Sequence, residues 1–220
     1  MTKTLAIFAK EPRPGHVKTR LVPPLSHREA AELYGCMLAD TLAKVSALPG
    51  VEPWLFYEES GEAVAHFTAA APGMACLPQE GAHLGERMAN ALRTLLQRGC
   101  DAAAIIGTDS PDLPPAVISE AFLHLQSGCD AVFGPSEDGG YYLVAMSKLH
   151  PALFHDIPWS SEHVLAKSLA RAEAANLSVR LLPTWYDVDT AADLTRPGLV
   201  SPHTCAPLTR EFLLRLGTGD

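Results

Sequence analysis

Residues 101–134, DAAAIIGTDSPDLPPAVISEAFLHLQSGCDAVFG, carry three elements in a row. Residues 102–107 form an apolar run of the length and character of a strand buried on both faces. Pro114 and Pro115 then introduce a helix over 115–127, as proline does at a first helical turn. Residues 130–134 return to an apolar strand. A strand, a helix and a second buried strand in this order predict a parallel crossover, the repeating unit of an α/β protein.

The same rhythm extends outward. Towards the N-terminus, residues 4–9 (TLAIFA) form a buried strand that runs into a Pro/Gly-rich loop. Ser26 with Glu29 reads as a capping box, and apolar residues at 30, 33, 34, 37, 38, 41, 42 and 45 recur at helical spacing until Pro49 and Gly50 stop them. A strand at 53–57, a helix from about 61, a strand at 74–77 and a helix at 85–98 complete this half. The expectation is a three-layer α/β/α sandwich on a mostly parallel, mixed sheet. Beyond 134 the rhythm changes. Residues 141–146 look like a strand too close to its predecessor for a parallel crossover, so an antiparallel or mixed edge is expected there. Residues 160–175 read as helix, 178–182 and 184–187 as extended, 196–206 as a Pro/Gly-rich connection and 207–216 as a last short helix. The chain is expected to be one domain, 1–220, with a core at about 3–195 and a C-terminal extension at 196–220.

Composition narrows the function. The 220 residues are 47% hydrophobic and 19% charged with a formal net charge of −8, so a basic nucleic-acid footprint is missing. Any bound phosphate must be met by a few placed cations or a metal. The apolar run at 5–9 is short for a secretory leader, and no stretch approaches the roughly 18–20 apolar residues of a membrane span. Five scattered cysteines, never spaced C-x-x-C, fit thiols in a reducing compartment. The expectation is a cytoplasmic protein.

In an open α/β sheet, ligands bind on the loops at the carboxyl ends of strands. The first such loop gathers Lys10, Arg13, Lys18 and Arg20 in an otherwise acidic protein, with Gly15 permitting close backbone approach, and so suggests a phosphate cradle. A P-loop is excluded, because its pattern needs glycine where this chain has Pro12 and Val17. The loop after residue 107 presents Asp109, suited to a hard cation such as Mg²⁺ that also grips phosphate oxygens, while Asp112 and Ser110 suit capping of the following helix. One carboxylate rarely holds Mg²⁺ by itself. Asp189, with Asp187 as a substitute, offers a second; capping by Asp189, Thr190 and Asp193 explains that segment equally well. Between them, Asp138, Gly139, Gly140 and Tyr141 form a loop able to approach a ligand closely, or a plain Gly-Gly turn.

Taken in order, FAKEPRPGHVKTRL (8–21), LGERM (84–88), GTDSPDLP (107–114), GPSEDGGYYLV (134–144), IPWSS (157–161) and DVDTAADL (187–194) resemble the signature blocks of a bacterial glycosyltransferase-like and nucleotidyltransferase-like family of the DUF2064 type. That family lies within the GT-A-like, Rossmann-like nucleotide-diphospho-sugar transferase superfamily, and is similar to the nucleotidyltransferases of molybdenum-cofactor and F420-precursor synthesis. The resemblance covers residues 3 to about 195. It implies that Lys18 and Arg20 bind a triphosphate or diphosphate, with Ala9, Lys10 and Gly15 beside them, and that Asp109 and Asp189 are the metal ligands. It further implies that Gly85, Glu86 and Arg87 contact the nucleotide, and that Asp138, Gly139, Gly140 and Tyr141 face the acceptor or sugar. The chain departs from the best-known nucleotidyltransferases in having prolines and one glycine in its first loop, and from many sugar transferases in having Asp109 without a D-x-D spacing.

The resulting expectation is a transferase using Mg²⁺ (or Mn²⁺), a nucleoside triphosphate and a small phosphorylated acceptor. Lys18, Arg20, Asp109 and Asp138 would be the catalytic residues. Glycosyl transfer from a nucleotide sugar, with Asp138 as base, and a nucleotide-binding module without turnover are the alternatives. No nucleic-acid partner or membrane span is expected. The oligomeric state is left open, a homodimer included.

Overall fold

A computed structural model describes residues 1–217. Its strands are β1 (Lys3–Ala9), β2 (Val51–Tyr57), β3 (Ala75–Pro78), β4 (Ala102–Ile106), β5 (Ala131–Pro135), β6 (Tyr141–Met146) and β7 (Val179–Leu181). Its helices are α1 (His27–Ser46), α2 (Ala63–Ala70), α3 (Leu84–Gln97), α4 (Pro115–Gln126), α5 (Val164–Ala174), α6 (Pro197–Val200) and α7 (Pro207–Gly217), with 3₁₀ turns at Thr19–Leu21, Pro151–Phe154 and Ala191–Thr195.

The strands form one seven-stranded sheet in the order β3-β2-β1-β4-β6-β5-β7. β1 pairs in parallel with β2 and β4, β2 with β3, and β5 with β7, while β6 runs antiparallel between β4 and β5. The expected antiparallel strand is therefore present, but it is interior and not at an edge. Its run YYLVAM has no charge or proline to protect an open edge, and Leu143 to Met146 are almost wholly buried.

Alternation along the strands builds the two outer layers. Leu5, Ile7 and Ala9 pack with Leu38, Leu42 and Val45 of α1, Phe67 of α2 and Phe122 of α4. Ala6, Ala103, Ile105 and Val144 face the other way, onto Met88, Leu92 and Leu95 of α3 and Ala172 of α5. The α/β/α sandwich follows directly from this two-sided burial.

α1 starts at the expected capping box, in which Ser26 N donates to Glu29 Oε2 at 2.7 Å and Glu29 N to Ser26 Oγ at 3.2 Å. Its N-terminal half belongs to a third cluster, where Leu33 and Met37 meet Phe212 and Leu213 of α7 and Leu199 of α6. Asp40 holds the start of α7, accepting from Thr209 N at 2.8 Å and Thr209 Oγ1 at 2.7 Å. The described part of the C-terminal extension, residues 196–217, is thus packed into the fold. The segment expected as connection contains α6, because Pro197 can open a helical turn. Residues 184–187 do not form a strand. Pro183 cannot donate to a ladder, and pairing beyond β7 reduces to one bridge between Ser136 and Trp185. α5 starts at Val164, later than expected, after a turn in which Ser160 has φ 65.

Candidate active site

β1, β2, β3 and β4 end, and β6 begins, at one edge of the sheet. A cavity of about 560 Å³ lies there, lined among others by Ala9, Lys10, Lys18, Arg20, Arg87, Asp109, Tyr141 and Asp189. Tyr34 of α1 ties its floor together: Tyr34 Oη accepts from Lys10 N at 2.8 Å and from Thr108 Oγ1 at 3.0 Å, joining the ends of β1 and β4. Burial foremost, and the nearby Asp109 charge, push the Tyr34 phenol up to about 12, so it stays protonated.

The first loop brings Lys18 back over this floor in a left-handed conformation, φ 48 and ψ 37, just before the turn at Thr19–Leu21. The Lys18 ammonium donates to Asp109 Oδ1 and, at 2.9 Å, to Asp189 Oδ1. The Lys18 side chain is 5% exposed, whereas those of Asp109 and Asp189 are 47% and 37% exposed. Burial pulls its basicity down, but the two carboxylates outweigh burial and hold the ammonium well above the ordinary lysine range. Arg20 Nη1 lies 3.7 Å from Asp189 Oδ2 with a largely exposed side chain.

Asp193 fixes Asp189 from behind, its Oδ2 accepting from the backbone N–H groups of Asp189 and Thr190 at 3.2 and 2.8 Å. The expected Thr190–Asp193 capping box is present. It occupies the Asp189 backbone and leaves the carboxylate for the cavity. Asp187 is engaged elsewhere, accepting from Ser110 Oγ at 2.9 Å and Ser136 Oγ at 2.5 Å. Burial, reinforced by Asp109, raises the Asp187 carboxyl to about 6 against the two serine donors.

On the opposite wall Glu58, directly after β2, joins Lys10 at 3.5 Å to Arg87 at 3.2 Å. Burial favours the protonated form of Glu58, yet the two cations hold its carboxyl below the usual range. Of the LGERM residues, Leu84, Arg87 and Met88 line the cavity. Glu86 instead receives Ala82 N at 2.8 Å at the start of α3, and Gly85 lies against the Trp159 indole, where a Cβ would come within 2.5 Å. Asp138 is exposed and accepts from Gly140 N at 2.9 Å, closing its own turn. Gly139 has φ 86 and approaches the Glu162 carbonyl so closely that a Cβ would sit 2.1 Å from its oxygen. Gly15, Gly85, Glu86, Asp138, Gly139 and Gly140 are thus set back from the cavity wall formed by the other expected residues. Tyr141 does line it, edge-on to Trp159 at 6.5 Å and to Phe133 at 5.0 Å.

Sequence reasoning missed Tyr34, Thr108, Glu58 and Gln79, all of which line the cavity. Tyr34 looked like part of the apolar stripe of α1. Glu58 carried a signal that went unused, since it is a carboxylate at the carboxyl end of a parallel strand.

The site fits a divalent ion. Two carboxylates from separate loops converge on one point already taken by a cation, and their exposure leaves room for phosphate and water to complete an octahedral shell. Among the described residues no group of three or more His, Cys, Asp or Glu side chains is clustered as a metal site, so a bound ion would need ligands from its substrate.

With this mixed sheet and the polar cavity at its strand ends, the chain belongs to the GT-A-like nucleotide-diphospho-sugar transferase superfamily. Within it, the chain belongs to the family described as "Uncharacterized protein conserved in bacteria (DUF2064)", whose pattern matches residues 41–161. The chain is similar along 97% of its length, and 97% of the other chain's, to a Desulfovibrio desulfuricans G20 protein provisionally assigned as a nucleotide-diphospho-sugar transferase, at 32% identity and a TM-score of 0.89. A cytidylyltransferase from Leptospira borgpetersenii shares the fold at 13% identity and a TM-score of 0.61, over 99% of this chain and 96% of that one. So does glucosyl-3-phosphoglycerate synthase from Mycobacterium tuberculosis, solved with Mn²⁺, UDP and phosphoglyceric acid, at 11% identity and a TM-score of 0.55 over 84% of this chain and 69% of that one. No curated protein sequence matches the chain at a significant level. Among the described residues, no helix is long and apolar enough to cross a membrane.

Proposed function

We propose that the protein is a transferase, specifically a divalent-metal-dependent nucleotidyltransferase acting on a nucleoside triphosphate and a small phosphorylated acceptor. The observation that carries this reading is the convergence of the Lys18 ammonium with the Asp109 and Asp189 carboxylates, flanked by Arg20, in the strand-end cavity. In the reaction, an acceptor phosphate oxygen attacks the α-phosphorus, the bond to the bridging oxygen breaks and pyrophosphate leaves. No protein nucleophile is needed.

Asp109 and Asp189 would hold Mg²⁺ or Mn²⁺, which would offset the charge gathering on the phosphate oxygens. The Lys18 ammonium would then turn to the phosphates, and the exposed Arg20 side chain would reach the same oxygens. Glu58 holds Lys10 and Arg87 against the nucleotide wall, with the Ala9 backbone beside them and Gly15, Gly85 and Glu86 supporting the loops. Asp138, Gly139, Gly140 and Tyr141 shape the acceptor side. Five free cysteines suit the reducing cytoplasm, which also supplies the triphosphates.

One observation favours a second reading. The Desulfovibrio protein at 32% identity carries a nucleotide-diphospho-sugar transferase assignment. Glycosyl transfer would use the same cavity for a diphosphate leaving group and Asp138 as base for an acceptor hydroxyl. Thermal shift with Mg²⁺ against panels of nucleoside triphosphates and nucleotide sugars, followed by product analysis with phosphorylated acceptors, separates the two. Metal-dependent selectivity for a triphosphate with pyrophosphate release is expected. Selective binding of a nucleotide sugar with nucleoside diphosphate release overturns the nucleotidyl reading, and binding without either release assigns a module without turnover.

A further inference from the structure

Asp112 reads in the sequence as a cap for α4, but the structure gives it a different task. The N-cap of α4 is Pro114, with no side-chain hydrogen bond to the helix start. Asp112, nearly fully buried, instead reaches into the opposite loop, its Oδ1 accepting from Trp185 Nε1 at 3.2 Å and its Oδ2 from the Tyr186 hydroxyl. A carboxylate taken from water needs such donors, so this contact is costly to leave unmade.

The contact belongs to a series. Asp109 O accepts from Val188 N at 2.8 Å, Ser110 Oγ donates to Asp187 at 2.9 Å, and Asp112 takes Trp185 and Tyr186. The loop after β4 and the loop before residue 190 therefore run antiparallel, with partners in steady register. Lys18, bridging Asp109 and Asp189, closes one end of this ladder, and Asp112 closes the other. The Asp112 end is braced further. A Cβ on Gly198 would lie 2.9 Å from Asp112 Oδ2, and the Arg196 guanidinium lies 4.5 Å from the centre of the Tyr186 ring. Lys44 Nζ donates to Pro111 O at 2.7 Å from the far side.

We propose that Asp112 is a positioning residue that, through Trp185 and Tyr186, sets the spacing of the Asp109 and Asp189 carboxylates for a divalent cation. The proposal rests on the metal-dependent reading of the site. It assigns no metal contact to Asp112, although an aspartate three residues after Asp109 invites that assignment.

The test measures Mn²⁺ affinity by electron paramagnetic resonance, together with nucleoside triphosphate affinity with and without Mn²⁺, for the wild type, Asp112→Ala and Tyr186→Phe. Tyr186→Phe keeps every carboxylate and removes one hydroxyl. Both variants are expected to weaken Mn²⁺ binding, Asp112→Ala by about tenfold and Tyr186→Phe by a smaller factor, with metal-free triphosphate affinity within about twofold of wild type. A fall in Mn²⁺ affinity confined to Asp112→Ala would mark Asp112 as a ligand and overturn the proposal. Unchanged Mn²⁺ affinity in both variants, or an equal fall in metal-free binding, also overturns it. A wild type without Mn²⁺-dependent triphosphate binding removes the metal reading and this proposal together.

Discussion

Lys18→Met removes the positive charge that bridges Asp109 and Asp189 while keeping much of the side-chain volume. In the wild type an incoming divalent ion must displace an ammonium that sits 2.9 Å from Asp189 Oδ1 and also bonds Asp109. Two unit charges about 4 Å apart interact by about 1 kcal/mol in water and about 4 kcal/mol near a protein surface, and a divalent ion doubles the figure. With the carboxylates 47% and 37% exposed, the site lies towards the wet limit, and a net penalty of about 2 kcal/mol follows. Its removal should tighten Mn²⁺ binding in the absence of nucleotide by roughly thirtyfold. Triphosphate binding should fall by at least about tenfold, because a charge-assisted contact to phosphate is lost. The fold should lose only about 1–2 kcal/mol, less than for a fully buried pair, since both abandoned carboxylates reach water. A Mn²⁺ titration by electron paramagnetic resonance, paired with triphosphate calorimetry, reads both effects. Metal affinity that falls or stays level in Lys18→Met refutes the claim that this ammonium occupies the cation position.

Asp109→Asn should abolish the Mg²⁺-dependent part of triphosphate stabilisation in a thermal-shift assay while changing the nucleotide-free melting temperature by no more than about 3 °C, and persistence of the metal effect contradicts its role. Gly85→Ala should cost about 1–3 kcal/mol through a Cβ that meets the Trp159 indole within 2.5 Å, and should shift tryptophan fluorescence; an unchanged melt and spectrum would show that the indole is not packed there. Burial lowers the Lys44 amine from 10.5 to about 8 despite the neighbouring Cys205, Asp112 and Asp40, so the folded state sheds its proton before the unfolded state does. Stability relative to Lys44→Met should therefore rise with pH between about 8 and 10.5, by up to about 3 kcal/mol, and be level below 8; denaturant unfolding of both proteins across that range checks the sign.

Much of the fold was legible because its signals are local. The capping box of Ser26 and Glu29, the buried runs of β1 and β4 and the proline pair before α4 each specify their own element. The position of β6 was not legible. A short link announces an antiparallel neighbour, but only the pairing of β4 with the far side of β6 makes it interior. The segment 184–187, read as extended, contributes one bridge at Trp185 and no strand, because Pro183 cannot donate to a ladder and the tryptophan and tyrosine bonds to Asp112 draw it away from the sheet. At the site, Asp109 and Asp189 lie 91 and 171 residues from Lys18 along the chain, and their place at strand ends together with the family resemblance suggested that they meet. Tyr34 and Glu58 were hidden because an aromatic residue in a helical stripe and a lone glutamate after a strand have ordinary structural explanations. Asp112 shows the limit most clearly, since local spacing points to a cap and only tertiary contact reveals its partners.

The most direct test is a crystal structure with Mn²⁺ and a non-hydrolysable nucleoside triphosphate, the ion located by its anomalous scattering. The account predicts an ion about 2.0–2.3 Å from oxygens of both Asp109 and Asp189, sharing phosphate oxygens with the nucleotide, and Lys18 moved from the carboxylates onto the phosphates. An ion bound elsewhere, or a nucleotide outside this cavity with Lys18 still between the two aspartates, would contradict it.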